Sequence, residues 1–403
     1  MTYFVKNFIR KLEFSYLYLL FIQGKRFGGI NYVYTHDKKL VFHRCFETLL
    51  RFIGYNLILI NTVYFLRDFF TLVLAVSSFA DGSLRGFDPD LGIIDQKLFA
   101  DEINAKQNKW IAGDNFGRPL SMRELKRYGS TILNKPDLPK KSHEAFSNLT
   151  GLKYLPRFFD ARQQYSQCLS ISSVRDQSNC GSCWAVTSAA ALSDRICIQT
   201  PYQINMSAEH LMTCCRSCGS GCQGGYIDKT WKHFIRNGEV SGGDYGSFDG
   251  CQPYSIMPCG SIGQPECEEE EAATPQCQRF CTNPSYRTPY RYDRRRTLNA
   301  FYMDSIVPYI QWEIMYNGPL VASFVLYADF PTYKSGVYVH TEGEMIGGHA
   351  ARIIGWGEER GIPYWLAVNS WGKSWGANGF FKIMRGYNHC LIEENMIGGN
   401  FRN

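Results

Sequence analysis

The clearest helical pattern lies at residues 184–197, where alanine, leucine and isoleucine recur on one side with a spacing of 3.6 residues. Because no glycine or proline interrupts it, the pattern predicts one helix that begins at or near Cys183. Weaker amphipathic patterns predict short helices at residues 94–103 and 121–128, followed by a linker rich in proline and lysine at 134–142.

The rhythm changes from Leu155 onward to glycine-rich loops and short apolar runs. Such runs predict strands at residues 336–339, 351–356 and 364–368, and the helix after Cys183 is expected to be the one long helix of this part. The predicted helices come before the predicted strands along the chain. This order predicts an α+β fold of two lobes with a cleft between them.

Residues 1–80 are apolar, aromatic and basic, with the strongest apolar runs at 57–65 and 69–79. Neither run reaches the roughly 18 to 20 residues of a membrane span. The second has the length of a signal-peptide core and precedes small residues, which predicts cleavage after Ala80. Because roughly sixty-five residues precede this core, an erroneous start of the sequence and a type II membrane anchor are the alternatives.

Residues 81–154 are polar and contain nothing that resembles a catalytic motif. A small separable segment ahead of a cysteine-rich domain at 155–403 indicates a pro-region, and an ordinary N-terminal subdomain is the alternative. With 403 residues, of which 45% are hydrophobic, the chain has ample material for a large core, which excludes a disordered protein.

The net charge of +6 is unevenly distributed. The first 154 residues hold 22 Lys and Arg against 14 Asp and Glu, whereas the rest hold 21 against 23. Because the basic excess belongs to the part expected to be removed, the composition gives no support for binding to nucleic acid.

Fourteen of the fifteen cysteines lie at or after Cys168, which predicts disulfides and an oxidising compartment. Glycosylation sequons at Asn148 and Asn205 are consistent with a secretory route. If one cysteine is a free nucleophile, thirteen remain, so at least one more thiol is unpaired.

Cys183 is the candidate nucleophile, because a thiol at a helix N-terminus has a pKa below the usual value of about 8.5. The C-x-x-C spacing with Cys180 leaves two alternatives open, a redox pair and half of a zinc site. Zinc is a poor match to the cysteine-rich stretch 214–222, since the one histidine that closely follows it is His233. No metal site is therefore expected.

A thiolate nucleophile requires a histidine, a residue that orients the histidine, and donors for an oxyanion. His349 follows two glycines directly before a predicted strand, and Asn369 ends another predicted strand. Trp371 is placed to shield their hydrogen bond from water, and the Gln177 amide can lie beside the backbone N–H of Cys183.

The motifs at residues 177–184, 347–350 and 369–371 together resemble those of the papain-like cysteine peptidases, and most closely those of the cathepsin B group. The likeness extends from about residue 94 to 397, with residues 109–116 similar to the group's propeptide and 155–162 to its mature N-terminus. It implies a papain-like fold with a helical lobe and a β-barrel-like lobe.

The resemblance also assigns roles to individual residues. It implies a thiolate–imidazolium pair of Cys183 and His349, orientation of His349 by Asn369, and an oxyanion hole that includes Gln177. The residues implied in substrate binding are Gly224, Gly225, Trp371 and Asn395. The implied disulfides are Cys168–Cys197, Cys180–Cys222, Cys214–Cys277, Cys215–Cys218, Cys251–Cys281 and Cys259–Cys267, which leave Cys183 and Cys390 free and remove the redox alternative.

Two departures from the cathepsin B pattern bear on what is cleaved. The loop between Cys259 and Cys267 is short and lacks the histidine pair that binds a substrate's C-terminal carboxylate. It ends with Glu266, and further glutamates follow it at 268–271. We therefore expect an endopeptidase, unless the glutamates form only a solvated acidic run. Asn395 replaces the glutamate at the base of the S2 pocket, so apolar P2 side chains should be preferred, unless Glu394 occupies that position.

The sequence thus predicts a zymogen of a secreted or lysosomal cysteine endopeptidase that needs no cofactor. The expected partners are protein and peptide substrates, its own propeptide and cystatin-type inhibitors, and a monomer is expected. The alternatives are a binding module without activity and a membrane-anchored processing or adhesion protein that retains residues 1–80.

Overall fold

The computed structural model of the chain describes residues 87–88, 93–142, 144, 146, 154–268 and 270–401. The expected signal-like segment before Ala80 and the sequon at Asn148 lie outside these residues. Ser83–Asn403 form one compact unit, to which the following description applies. Among the described helices, none is both long and apolar enough to cross a membrane.

Eight α-helices are described, two of them upstream of residue 155. In chain order they are α1 (Gln96–Lys106), α2 (Met122–Tyr128), α3 (Ala161–Gln164), α4 (Leu169–Ser172), α5 (Cys183–Gln199), α6 (Ala208–Cys214), α7 (Ile227–Arg236) and α8 (Val307–Asn317).

The predicted long helix is confirmed as α5, which begins at Cys183 itself. The expectation that it is the one long helix after Leu155 is wrong, because α7 and α8 have 10 and 11 residues. Upstream, α1 begins two residues after Ile94, since the Asp95 side chain accepts from the first free N–H groups and caps the helix there.

The thirteen described strands form a small sheet and a large one. In chain order they are β1 (Phe87–Asp88), β2 (Ile93–Ile94), β3 (Trp110–Ala112), β4 (Leu120–Ser121), β5 (Lys140–Lys141), β6 (Phe159–Asp160), β7 (Phe301–Met303), β8 (Leu320–Tyr327), β9 (Tyr333–Tyr338), β10 (Met345–Glu359), β11 (Ile362–Val368), β12 (Phe380–Met384) and β13 (Met396–Gly398).

The large sheet has the order β3-β9-β12-β11-β10-β8-β13-β7-β5, with β6 paired to β10. The long antiparallel strands β8, β10 and β11 form its centre, and all three predicted strand regions lie within it. The small sheet contains β1, β2 and β4. Two strands from residues 93–142 extend the large sheet at its ends, since β3 pairs with β9 and β5 with β7.

The buried apolar side chains form two clusters, one for each lobe. The first surrounds α5, α6 and α7 and contains Trp184, Leu211 and Trp231. The second fills the sheet and includes Phe99 and Trp110 from the upstream segment. The α+β, two-lobed fold that the resemblance implies is confirmed.

Six disulfides lie within the described part of the chain, and they join the same pairs that the resemblance implies. Five of them cross-link the helical lobe and the loops between residues 180 and 281. Among the described residues, Cys183 and Cys390 keep free thiols. Because Cys180 is bonded to Cys222, the pair with Cys183 is not a redox pair.

Candidate active site

Cys183 is the first residue of α5 and is completely buried. Burial alone would raise the pKa of its thiol, but the charge of His349 and hydrogen bonds from His349, Ser130 and Thr131 outweigh burial and lower it to about 6. The helix N-terminus favours the thiolate in the same direction. At neutral pH the thiolate therefore predominates, which is the form that can act as a nucleophile.

His349 lies in β10, opposite Phe324 of β8. Its Nε2 lies 2.7 Å from Oδ1 of Asn369, the residue that follows β11. Asn369 Oδ1 also accepts from the backbone N–H of Ser370 at 2.8 Å, which identifies it as an acceptor and Nε2 as a donor. His349 Nδ1 has no other partner among the described residues, so this nitrogen is left for Cys183.

The indole of Trp371 covers this hydrogen bond. Its ring lies 4.8 Å from the His349 ring and is buried. The Tyr128 ring of the upstream segment also packs against Trp371, with the ring centres 5.0 Å apart. Water is therefore excluded from the Asn369–His349 contact, which strengthens it.

Gln177 is buried and held at both ends of its amide. Its Oε1 accepts from the Ser370 hydroxyl at 2.7 Å, and its Nε2 donates to the Cys180 carbonyl at 3.0 Å. The carbonyl oxygen of Arg127, from the upstream segment, lies 3.5 Å from the same Nε2. A substrate carbonyl that replaced it would meet an N–H donor already fixed in place.

Residues 129–133, which we call the blocking segment, cross the cleft directly over Cys183. The Thr131 hydroxyl lies 3.1 Å from Cys183 Sγ, and the Ser130 hydroxyl lies 3.4 Å from it. The segment also pairs with both walls through its backbone. Thr131 N–H donates to the Gly348 carbonyl at 2.9 Å, and Ile132 N–H donates to the Gly225 carbonyl at 2.9 Å.

Both walls of the cleft carry glycines where the backbone of the blocking segment passes, because a side chain there would collide with it. A Cβ on Gly224 would lie 2.4 Å from the Ser130 carbonyl oxygen, and one on Gly348 would lie 2.2 Å from that of Thr131. Gly225 N–H itself donates to the Ser130 carbonyl at 3.2 Å. Gly224 and Gly225 therefore form a surface that hydrogen-bonds an extended chain.

The loop between Cys259 and Cys267 folds back on itself through a hydrogen bond of 2.8 Å from Gly260 N–H to the Pro265 carbonyl. Gln264 Nε2 anchors it to Asp176 at 2.8 Å, and burial of Asp176 raises the pKa of that carboxyl. In the acidic run that follows, the Glu271 carboxylate accepts from Gly181 N–H at 3.3 Å, three residues before Trp184. At least one of these glutamates thus lies next to the nucleophile motif.

Asn395 is half-buried in the turn that precedes β13. Glu393 is buried and accepts from Trp365 Nε1 and from two backbone N–H groups, so its carboxylate serves the turn itself. Glu394 is exposed. Of the two candidate S2 residues, Asn395 has the burial expected of a pocket residue.

In the remaining sequon, at Asn205, both polar side chains make hydrogen bonds within the fold. Its side-chain amide donates to Asp249 at 2.6 Å, and Ser207 of the same sequon is buried and caps α6. Modification of Asn205 stays a prediction.

Ser130 and Thr131 were not recognised from the sequence, in which residues 81–154 showed nothing catalytic. No local pattern distinguishes them, because their contact with Cys183 joins residues 52 and 53 positions apart. The likeness of residues 109–116 to a propeptide was the one available signal.

Residues 155–399 match the family model described as "Papain family cysteine protease". The chain is 41% identical over 314 residues to cathepsin B-like cysteine proteinase 4 of Caenorhabditis elegans, a match that covers 75% of this chain and 92% of the relative. It is 48% identical over 252 residues to cathepsin B-like cysteine proteinase 1 of Haemonchus contortus, covering 61% and 73%.

Solved structures of proenzymes show the same fold. Procathepsin B S9 from Trypanosoma congolense matches with a TM-score of 0.65 and 34% identity, covering 75% of this chain and 97% of that one. Digestive procathepsin L2 from Tenebrio molitor matches with a TM-score of 0.57 and 24% identity, covering 75% and 88%.

Proposed function

Because the chain belongs to the papain family of cysteine proteases and is a cathepsin B-like cysteine peptidase, we propose that it is the zymogen of an enzyme that cuts mainly within polypeptides. The observation that carries this proposal is the group of Cys183, His349 and Asn369 beneath an extended segment. The thiol has a pKa of about 6, and His349 is fixed by Asn369 at 2.7 Å.

The reaction begins when the Cys183 thiolate attacks the carbonyl carbon of the scissile bond. The oxyanion that forms is stabilised by Gln177 Nε2 and the backbone N–H of Cys183. His349 gives the proton on Nδ1 to the leaving amine, and the C–N bond breaks. Water then attacks the thioester while His349 takes up its proton, and Cys183 leaves again as thiolate. Asn369 keeps the ring oriented throughout by accepting from Nε2–H.

Preference for internal bonds is the finer part of the proposal. A dipeptidyl activity needs a cation near the cleft that binds the free C-terminal carboxylate of the substrate. The loop from Cys259 to Cys267 offers no histidine, lysine or arginine, and Glu271 adds a negative charge at the neighbouring Gly181. Like charges would weaken binding of a free carboxylate.

The test compares two forms of one peptide, with a free C-terminal carboxylate and with an amide. The processed enzyme should cut both at the same internal bonds and at similar rates, without stepwise release of dipeptides, as read by mass spectrometry of the products. The Cys183→Ala variant gives the background. Dipeptide release from the free acid alone would refute the internal preference, and cleavage that does not depend on Cys183 would leave only a binding role.

The second specificity proposal concerns P2. An amide at Asn395 has no charge for an arginine side chain, whereas a carboxylate there would attract one. We expect an Asn395→Glu variant to gain activity on substrates with Arg at P2 relative to Leu. The exposed Glu394→Gln change is the matched control and should leave this ratio unchanged. If the Asn395→Glu variant gained no activity on Arg at P2, Asn395 would not be the residue at the base of the S2 pocket.

We propose that residues 81–154 are the propeptide and that they inhibit the peptidase domain of the same chain. They are released when the chain is cut before the domain at 155–403. The six disulfides support maturation in the secretory pathway, with secretion or delivery to lysosomes. Inhibition by cystatin-type proteins and a monomeric state are further proposals. Mass analysis of secreted protein tests the removal of residues 1–80 and with it the membrane-anchored alternative.

A further inference from the structure

Three residues with metal-binding side chains meet inside the helical lobe, and the mechanism uses none of them. His210 lies on α6, His233 on α7, and Glu239 three residues after the end of α7. The exposed fractions of their side chains are 2%, 9% and 0%. Histidine and glutamate are seldom buried this deeply without partners that satisfy them.

Their polar atoms converge on one point. His210 Nδ1 contacts Glu239 Oε1, and His233 Nε2 lies 3.8 Å from Glu239 Oε2. One ligand atom from each residue lies within 4.8 Å of the other two. Among the described residues, neither His233 Nε2 nor Glu239 Oε2 has a hydrogen-bond partner. Two buried polar atoms that face each other without a hydrogen bond are an arrangement in which both can bind one further group.

We propose that His210, His233 and Glu239 bind a divalent metal ion of the zinc class. Two imidazole nitrogens and one carboxylate oxygen are a ligand set typical of zinc, whereas calcium and magnesium require mostly oxygen ligands. Three protein ligands leave a further coordination position for water. Because its ligands are buried side chains from α6, α7 and the segment after α7, the ion would cross-link these three elements and stabilise the helical lobe.

The ligand atoms of His210, His233 and Glu239 would need to move only slightly to bind one zinc ion. Ligand atoms around one zinc ion lie roughly 3.4 Å apart, given bonds of about 2.0 to 2.2 Å. The present distances lie on both sides of that value, with His210 and Glu239 in direct contact and His233 further away. An ion would separate the first two and draw in His233, changes within the reach of side-chain torsions.

The surrounding contacts suit a metal ligand. His210 Nε2 lies 2.8 Å from the Tyr290 hydroxyl, which also accepts from Arg294 at 2.7 Å. A phenol oxygen has two lone pairs, so it can accept from both, and Nδ1 of His210 then carries the free lone pair. Glu239 Oε1 is oriented by the backbone N–H of Val240 at 3.0 Å. Such outer contacts hold ligands in position at metal sites.

No metal was expected from the sequence, where zinc was considered only for the Cys180–Cys183 spacing and for the cysteine-rich stretch 214–222. His233 also lies near Cys215 and Cys218, but these two form a disulfide and have no thiolate to offer. The proposed ligands come from three separate positions and carry no short spacing motif, so the folded structure is needed to find them.

The test uses the full chain with the Cys183→Ala change, which removes a thiol that would itself bind zinc, and keeps the disulfides oxidised. After treatment with a chelator, titration calorimetry should show one zinc ion bound per chain, and zinc should raise the Tm. His233→Gln and Glu239→Gln should each weaken binding at least tenfold. His340→Gln is the matched control, since His340 also pairs with a buried carboxylate, that of Asp329 at 3.1 Å.

A measurement on the unaltered ligands covers the case in which these variants fail to fold. Cobalt added in place of zinc should give visible bands of a site with nitrogen and oxygen ligands, without a thiolate charge-transfer band. The proposal is overturned by the absence of metal binding in the Cys183→Ala chain, by a thiolate band, or by unchanged affinity in a folded His233→Gln, Glu239→Gln double variant.

Discussion

Trp110 provides the sharpest test of how the upstream segment closes the cleft. Its side chain is buried against the sheet, 6.1 Å from the Tyr333 ring and 5.2 Å from the Tyr338 ring, and its Nε1 donates to the Val339 carbonyl at 2.9 Å. All these contacts are lost when the segment leaves. A buried Trp→Ala change costs about 3 to 5 kcal/mol. If β3 and the blocking segment leave together, the Trp110→Ala change should raise the fraction of molecules with an uncovered Cys183 about 10³-fold, since each 1.4 kcal/mol is a factor of ten.

The assay measures covalent labelling of Cys183 by a thiol reagent in the uncleaved chain at pH 7, because the reagent reaches Sγ only when the segment is displaced. Trp110→Ala should label about 10³-fold faster than the unaltered chain, by the same estimate. Ile111→Ala, whose side chain is 56% exposed on the other face of β3, should change the rate little. The Cys183→Ala chain measures background labelling at other thiols, such as that of Cys390.

A folded Trp110→Ala chain that labels less than tenfold faster would refute the reasoning. It would mean that residues 129–133 stay over Cys183 when β3 is loose, and that the two contacts open independently. The result would then place the inhibitory affinity in Ser130, Thr131 and the backbone pairing with Gly225 and Gly348.

Three further predictions concern the active site and its cover. Asn369→Ala should lower kcat/KM about 10- to 100-fold, as loss of one hydrogen bond to a charged ring costs about 1.5 to 3 kcal/mol, and Asn369→Asp, which keeps the acceptor, should lose less. Labelling of Cys183 should rise with pH through a pKa of about 6, and His349→Ala should move that step upward; an unmoved step would contradict the assigned pair. Burial would raise the pKa of Glu124, but hydrogen bonds from Arg118 and Ser121 outweigh it and lower that pKa. The ionised Glu124 carboxylate therefore stabilises the fold above the unfolded pKa of about 4.3, and this stabilisation is lost as the pH falls through the lower folded pKa. The Tm deficit of Glu124→Gln should therefore be largest near pH 7 and shrink below about pH 4.

Local patterns in the sequence were enough to predict α5 and the central strands. The helix begins at Cys183 because a regular apolar stripe follows it without a glycine or proline. The amphipathic pattern of α7, with Ile227, Trp231 and Phe234 on its buried side, was equally readable and was overlooked. α8 is harder to recognise, since Pro308 and its aromatic residues obscure the period.

Contacts between distant parts of the chain were beyond local reasoning. The pairing of Trp110 with Gly336 and the approach of Thr131 to Cys183 depend on how the segment threads across the finished sheet. The same holds for His210 and Glu239, which lie 29 positions apart in the chain and meet only in the folded protein. The resemblance to a known family supplied the roles of His349 and Asn369, and the structure adds the geometry that makes those roles chemically reasonable.

Under the proposed function, the blocking segment would inhibit the enzyme by covering a catalytic group that is already assembled. His349, Asn369 and Gln177 are held by contacts within residues 155–403, so removal of the blocking segment leaves them in place. Over Cys183 Sγ the segment presents two hydroxyl groups instead of a carbonyl carbon, at 3.1 and 3.4 Å. These hydroxyls stabilise the thiolate while giving it nothing to attack. Activation therefore requires departure of the segment and no rearrangement of the catalytic group.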